Sequence, residues 1–506
     1  METSQIETKK KPERMSGILV HPTSFPSPYG IGDLGPGARD FIDFLARSGQ
    51  HLWQVLPLGP TGFGDSPYQS FSSFAGQPLI ISPDLLVEAG LLTPEDVADV
   101  PAWDPRSIDY GAVINYKNGL FRKAYDAFTH TPDKTMIEEF EAFCEKEKEW
   151  LDDYALFMAG KDAHEGRCWL DWDDDLRTAS PKAKEKWADK LSESVSYYKF
   201  LQFLFQVQWE DLREYAHENE IEIIGDIPIF VSTDSCDLWA DRALFQVDTK
   251  GHPTKVAGVP PDYFSESGQL WGNPLYDWDK HEETGFKWWI SRVRRQLSLV
   301  DHLRIDHFRG FEAYWAVPAE EETAVAGTWV KGPGEKLFRA LKRVLGGDLP
   351  IFAEDLGLIT PEVEELRDSL GFPGMKVLQF GFEDPNDRQY CPHCFKTTNC
   401  LCYTGTHDND TVMGWYAAAN EETRDRVRRY GNTDGSCVSL DFIRFALGSI
   451  ARYAIFPIQD LFMMGSEARM NRPGAACANW TFRYVSEDLT RERAEWLAAA
   501  TKLFGR

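Results

Sequence analysis

Asp301-His302-Leu303-Arg304-Ile305-Asp306-His307-Phe308-Arg309 alternates polar and apolar side chains before running into a turn. Residues two apart on a strand share a face, so Arg304 and Asp306 stand side by side. A permanent cation beside a carboxyl favours its ionised form. The stretch therefore predicts a strand that ends on an oriented carboxylate, a candidate nucleophile. Working outward, Ile351-Phe352-Ala353-Glu354-Asp355-Leu356-Gly357 and Tyr403-Thr404-Gly405-Thr406-His407-Asp408-Asn409-Asp410 follow the same plan. Each passes from an apolar stretch into a carboxylate and then a turn, so Asp306, Glu354 and Asp408 end three separate strands.

Short apolar runs rich in β-branched and aromatic residues recur at 17–21, 51–56, 221–226, 302–306, 350–354, 375–380, 400–404 and 453–457. Most are preceded by segments with apolar residues three and four apart, such as 38–46 and 335–341, the period of an amphipathic helix. Eight strands alternating with helices predict a (β/α)8 TIM barrel, in which Asp306, Glu354 and Asp408 end strands four, five and seven and meet at the C-terminal face. The whole chain, 1–506, reads as one catalytic barrel domain. The gap between strands two and three is too long for one crossover and predicts a mainly helical insertion at about 60–215. The Gly- and Pro-dense stretch at about 248–277 carries Tyr263 and Trp271 and reads as an ordered aromatic lid loop.

The composition narrows the partners. A formal net charge of -26 argues against nucleic acid and anionic membranes, which demand clustered cations. An aromatic share of 13%, with 17 Trp, favours stacking surfaces for planar or sugar-like ligands as well as core packing. The sequence has no apolar run of roughly 18 residues that would span a membrane, and Met1-Glu2-Thr3-Ser4-Gln5 lacks the apolar core of a secretion signal. A cytoplasmic location is the default, with a mature plastid protein as the alternative. Nine cysteines, an odd number in a long chain, suit reduced thiols better than a disulfide framework. The cluster Cys391, Cys394, Cys400 and Cys402 has poor zinc spacing, because Cys400 and Cys402 fall on a strand with Thr404. No metal and no organic cofactor are expected, since the carboxylates stand alone at strand ends without an oxygen-rich loop.

Three carboxylates around one cleft repel one another, which raises the pKa of at least one and leaves it able to donate a proton near neutrality. Cleavage of a glycosidic bond needs that division: one carboxylate attacks the anomeric carbon while a carboxylic acid protonates the leaving oxygen. Beside Arg304, Asp306 is the expected nucleophile. Glu354, preceded by apolar Ile351 and Phe352, is the expected acid/base, with Asp355 as its rival. Asp408 and His407 would bind hydroxyls of the reacting ring, and Asp410 reads as a turn residue.

These segments resemble glycoside hydrolase family 77, the 4-α-glucanotransferases or amylomaltases of the α-amylase clan. Further motifs carry the resemblance: Ser16 to Ser24, Gly30 to Gly35, Ser66-Pro67-Tyr68-Gln69-Ser70, Gly225-Asp226-Ile227-Pro228, Pro457-Ile458-Gln459-Asp460, Ala468-Arg469-Met470-Asn471 and Asn479-Trp480. They cover the chain almost end to end. The resemblance implies a retaining double displacement on maltooligosaccharides, amylose or other α-1,4-glucans, carried by Asp306, Glu354 and Asp408. It implies that Asp226 and Arg304 organise the nucleophile, that Tyr68 is a stacking platform, and that Ser66, Tyr263, Trp271, His407 and Asn479 contact substrate. Cys394 after His393, and Phe482 in the last motif, depart from the family pattern and bear on subsite shape. No β-sandwich domain or starch-binding module is expected, and the chain is expected as a monomer or small homo-oligomer. Two other readings use the same residues: an α-1,4-glucan hydrolase, and a noncatalytic glucan-binding protein.

Overall fold

The computed structural model describes residues 13–130, 133–261, 265–384, 388–475 and 478–506. Twelve strands are found there: β1 (Met15–Leu19), β2 (Leu52–Gln54), β3 (Glu222–Pro228), β4 (Lys255–Val259), β5 (Gln269–Pro274), β6 (His302–Asp306), β7 (Ala313–Pro318), β8 (Thr328–Lys331), β9 (Ile351–Ala353), β10 (Gly374–Val377), β11 (Cys400–Tyr403) and β12 (Tyr453–Pro457). Eight pair in parallel in the order β10-β11-β12-β1-β2-β3-β6-β9. The Ala353 N–H donates to Pro373 O at 2.9 Å and brings the last strand back to the first. The expected (β/α)8 barrel is formed, and its strands coincide within a few residues with the eight apolar runs.

Helix formation follows local chemistry. The helix Pro36–Arg47 starts with Pro in its first turn, where a missing N–H costs nothing, and buries Phe41, Ile42, Phe44 and Leu45. Glu335–Leu345 buries Leu337, Phe338, Ala340 and Leu341, three and four apart, and stops at Gly346 with φ 77°. Pro361–Leu370 also ends on a glycine, Gly371, which is in the left-handed helical conformation with φ 76° and ψ 17°.

Between β2 and β3 run the long helices Tyr110–His130, Lys134–Ala163 and Ser192–Glu218, with shorter ones among them. Phe140 and Phe143 of the second pack on Phe203 of the last, with ring centroids 5.8 and 5.9 Å apart. That last helix also lies on the barrel: Trp209 meets Trp53 of β2 at 5.8 Å and its Nε1 donates to Leu299 O at 2.9 Å. It thus does the work of the barrel helix that precedes β3, which is why the long interruption leaves the barrel closed.

The stretch 248–277 differs from the irregular loop expected. It contributes β4 and β5 to a four-stranded antiparallel sheet ordered β5-β4-β7-β8. The partner strand β7 lies far along the chain, and Gly258 with a register shift interrupts the alternation on β4. β4–β5 and β7–β8 are local antiparallel pairs, and only the β4–β7 pairing that joins them spans distant sequence. Tyr263 lies outside the described residues.

Gly17 on β1 faces Leu52 on β2 so closely that an added Cβ would fall inside the contact shell of the Leu52 carbonyl oxygen and Cβ. Gly17→Ala should therefore destabilise the barrel by roughly 1–3 kcal/mol, the usual cost of overpacking. Denaturant unfolding measures it, and an unchanged midpoint would show that the two strands can separate freely.

Candidate active site

The site is built around one guanidinium. On β6 the side chains of His302, Arg304 and Asp306 share a face, while Leu303 and Ile305 are buried on the other. The parallel register places Asp226 of β3 directly across from Arg304. Arg304 Nη1 lies 2.5 Å from Asp226 Oδ2 and Nη2 lies 2.8 Å from Asp306 Oδ1. Its Nε points at Met375 Sδ of β10, 3.4 Å away. The Asp226 side chain is fully buried, whereas that of Asp306 keeps 33% exposure, open to an incoming ligand. Burial opposes the charge on Arg304, but Asp226 and Asp306 outweigh it and hold Arg304 well above its ordinary pKa. Burial dominates at Asp226 and pushes it up to about 7 against the downward pull of Arg304. The 2.5 Å contact and the donation from the Tyr68 hydroxyl at 2.7 Å favour its ionised form and limit that rise.

Glu354 follows β9 directly. His307 N donates to its Oε2 at 2.7 Å and Leu356 N donates to its Oε1 at 2.8 Å. Both bonds favour the anion, as does Arg304, yet burial first and the charge of Asp306 second push Glu354 up to about 8. His307 itself has an uncommon left-handed backbone, with φ 54° and ψ 47° immediately after Asp306. That step turns the next N–H, of Phe308, to the Glu354 carbonyl oxygen at 3.1 Å. The rival Asp355 faces elsewhere: it is ion-paired with Arg367 and accepts from Met375 N at 2.6 Å. It fastens β10 and its helix to β9.

Asp408 lies in the loop after β11. Asn409 Oδ1 accepts from Thr406 N and Thr406 Oγ1, both at 2.9 Å, which folds the loop on itself. Asn471 Nδ2 donates to Asp408 Oδ1 at 2.6 Å, Arg469 Nη2 donates to Asp408 O at 2.6 Å, and His407 Nε2 is 3.3 Å from Oδ1. Burial lowers the pKa of His407. Tyr68 stacks on His407 with centroids 5.0 Å apart and 13° between planes, and Trp480 closes the cluster at 5.8 Å from each. Ser66 Oγ accepts from Tyr68 N at 3.3 Å and so sets the turn that presents the tyrosine. Asp410 accepts from Ser466 Oγ at 2.6 Å and from Thr411 N at 2.8 Å, a turn role.

Asp306, Glu354, Asp226, Arg304, Tyr68, Ser66, His407 and Asp408 are thus brought into one linked network. Trp271 on β5 joins it edge-on to His307, 4.8 Å between centroids. Asn479 is placed differently: its Oδ1 accepts from Arg472 N and its Nδ2 donates to Ala475 O at 3.0 Å, closing a local turn before Trp480. The residues that hold Asp408, Arg469 and Asn471, received no role from sequence reasoning, although the motif at 468–471 contains both. Among the described residues no group of three His, Cys, Asp or Glu could hold a metal ion, and no helix is long and apolar enough to cross a membrane. None of the eight described cysteines is in a disulfide, and burial pushes Cys400 up to about 11 and Cys402 up to about 12.

The model of the 4-alpha-glucanotransferase family, glycoside hydrolase family 77, matches residues 20–488. A 4-alpha-glucanotransferase of Synechocystis is 48% identical over 98% of each chain. One of Thermus thermophilus is also 48% identical, over 96% of this chain and 98% of its own. Among solved structures, an amylomaltase from Streptococcus agalactiae in complex with acarbose superposes with a TM-score of 0.94 at 39% identity, over 97% of this chain and 99% of that one.

The position of Glu354 sets a pH limit. Its pKa is raised, so the protonated acid is present below about 8 and is lost as pH rises through that value. A profile of kcat/KM should fall on that alkaline limb, and full retention well above it would show that Glu354 is not the proton donor.

Proposed function

The chain belongs to the 4-alpha-glucanotransferase family and is a 4-α-glucanotransferase, and from that premise we propose that Asp306, Glu354 and Asp408 carry the transfer by a retaining double displacement. Asp306 attacks the anomeric carbon as the glycosidic bond breaks, and Glu354 delivers its proton to the departing oxygen. The leaving glucan departs with a free 4-hydroxyl, and the donor remains as a covalent ester on Asp306. Glu354, now a carboxylate, then takes the proton from the 4-hydroxyl of an acceptor glucan, whose oxygen displaces Asp306 and restores both groups. The single observation that carries these roles is the contrast between the two carboxylates. Asp306 is partly exposed against Arg304 Nη2 at 2.8 Å, while Glu354 is enclosed and pushed up to about 8.

Asp408, fastened by Asn471 and Arg469, is suited to hydroxyls of the reacting ring. Such bonds accelerate the reaction only to the extent that they strengthen in the transition state. Arg304 and Asp226 hold the nucleophile, and Tyr68, positioned by Ser66, offers its ring to the donor sugar. Trp271 is proposed on the acceptor side or over the donor. Within one catalytic domain, the segment 248–277 covers the cleft and the insertion at about 60–215 flanks it. An aromatic cover that binds sugar and sheds water favours a sugar hydroxyl over hydrolysis. The donors and acceptors are maltooligosaccharides and amylose. The described cysteines without disulfides and the charge of -26 support a reducing compartment, the cytoplasm or a plastid interior, and a monomer or small homo-oligomer without nucleic acid or membrane partners.

Incubation with maltotriose alone tests the reading. The expected products are glucose and a ladder of longer chains that reaches a plateau; steady release of glucose and maltose without longer chains would mean hydrolysis. Glu354→Gln should lower turnover by about 10²–10⁴-fold while retaining maltooligosaccharide binding.

A further inference from the structure

A large open groove beside the barrel lies apart from the carboxylate cleft. A groove of about 910 Å³ runs between the insertion helix Lys134–Ala163, the short helix Cys236–Ala240 and the barrel helix Lys287–Leu299. That volume lies within the roughly 300–1,000 Å³ typical of small-molecule sites. None of Asp306, Glu354, Asp408, Arg304, Tyr68 or His407 lines it. Ser72 borders both this groove and the small cavity beside Tyr68 and Asp226, so the two spaces are separated by little more than the segment 72–74.

The walls describe the ligand. Phe74 and Trp150 are near-parallel with centroids 6.5 Å apart, and Trp288 meets Phe74 edge-on at 5.9 Å. The guanidinium of buried Arg295 lies 5.1 Å from the centre of the Trp150 ring. Trp150 is fixed at its other end, its Nε1 donating to Glu147 Oε2 at 2.6 Å. Around these rings stand five cations and five carboxylates, with the hydroxyls of Ser72, Thr284, Ser291 and Ser298 between them. An anionic or cationic ligand would gain little net attraction from so balanced a lining. A neutral molecule with many hydroxyls and flat apolar faces fits both the rings and the mixed donors and acceptors.

We propose that this groove is a second binding site for an α-1,4-glucan chain, separate from the catalytic cleft. The proposal rests on the glucan-transfer reading for the identity of the sugar. A polymer held there stays near the cleft at a high effective concentration, so the groove matters for long donors and not for short ones.

The groove can be closed without touching its buried residues. Ser291 is half-buried on the helix Lys287–Leu299, and Ser291→Trp would fill the space from the rim. Calorimetry with maltoheptaose on the Glu354→Gln protein should show two sites, one of which is lost in Ser291→Trp and in Trp150→Ala. In the otherwise native enzyme, both changes should raise KM for long amylose about tenfold while maltotriose disproportionation stays unchanged, which also establishes that the variants are folded. One site in the Glu354→Gln protein, or two sites that persist in both variants, would overturn the proposal. Turnover retained by Glu354→Gln would instead count against the acid assignment, and the amylose KM of the otherwise native variants would then decide the groove alone.

Discussion

Arg304 is the constraint on which the site depends. A guanidinium inside a closed barrel needs carboxylates to offset its lost hydration, and the register of β3 against β6 supplies Asp226 at 2.5 Å and Asp306 at 2.8 Å. The arrangement is unequal by design of the pleat: Asp226 is sealed in the barrel, and Asp306, two residues nearer the rim than Arg304, is partly open. One partner therefore anchors the cation and the other is left oriented and partly open. Removing the cation would leave two carboxylates uncompensated, a change of the kind that costs about 3–5 kcal/mol in buried pairs.

The same cation organises the contrast with Glu354. Burial and the charge of Asp306 raise Glu354, and Arg304 limits the rise. The left-handed backbone at His307 brings the N–H of Phe308 to the Glu354 carbonyl oxygen, at a local conformational cost of order 1–3 kcal/mol. Strain of that size is sustained because β6 and β9 are paired on one side and Trp271 packs against His307 on the other. The proposed nucleophile, the proposed acid and Trp271 are thus joined through two consecutive residues, Asp306 and His307.

Much of this was legible before any coordinates. The strand-end carboxylates and the Arg304–Asp306 pair follow from period-two alternation, which depends only on neighbours in sequence. The barrel follows from eight apolar runs and the helical segments between them. What could not be read was everything set by distant pairing. β4 joins β7 across more than fifty residues, and Gly258 hides its alternation, so the antiparallel sheet went unseen. The choice between Glu354 and Asp355 also needed space, since only the position of Arg367 and Met375 N shows that Asp355 is spent on structure. Asn471 and Arg469 reach Asp408 from beyond the eighth barrel strand, and Asn479, in the same segment, turns to its own loop. Motif membership marks such a segment without saying which of its polar side chains faces the site.

The central claim is that Asp306 forms the covalent bond and Glu354 moves the proton. It is tested most directly by treating the Glu354→Gln protein with α-maltosyl fluoride, whose leaving group needs no acid, and mapping the adduct by peptide mass spectrometry. The account predicts a maltosyl ester that accumulates on Asp306 and disappears when an acceptor with its own nucleophilic anion, such as azide, is added. An adduct on Asp408 or Asp226, or rapid turnover of the fluoride in an Asp306→Asn protein, would contradict it.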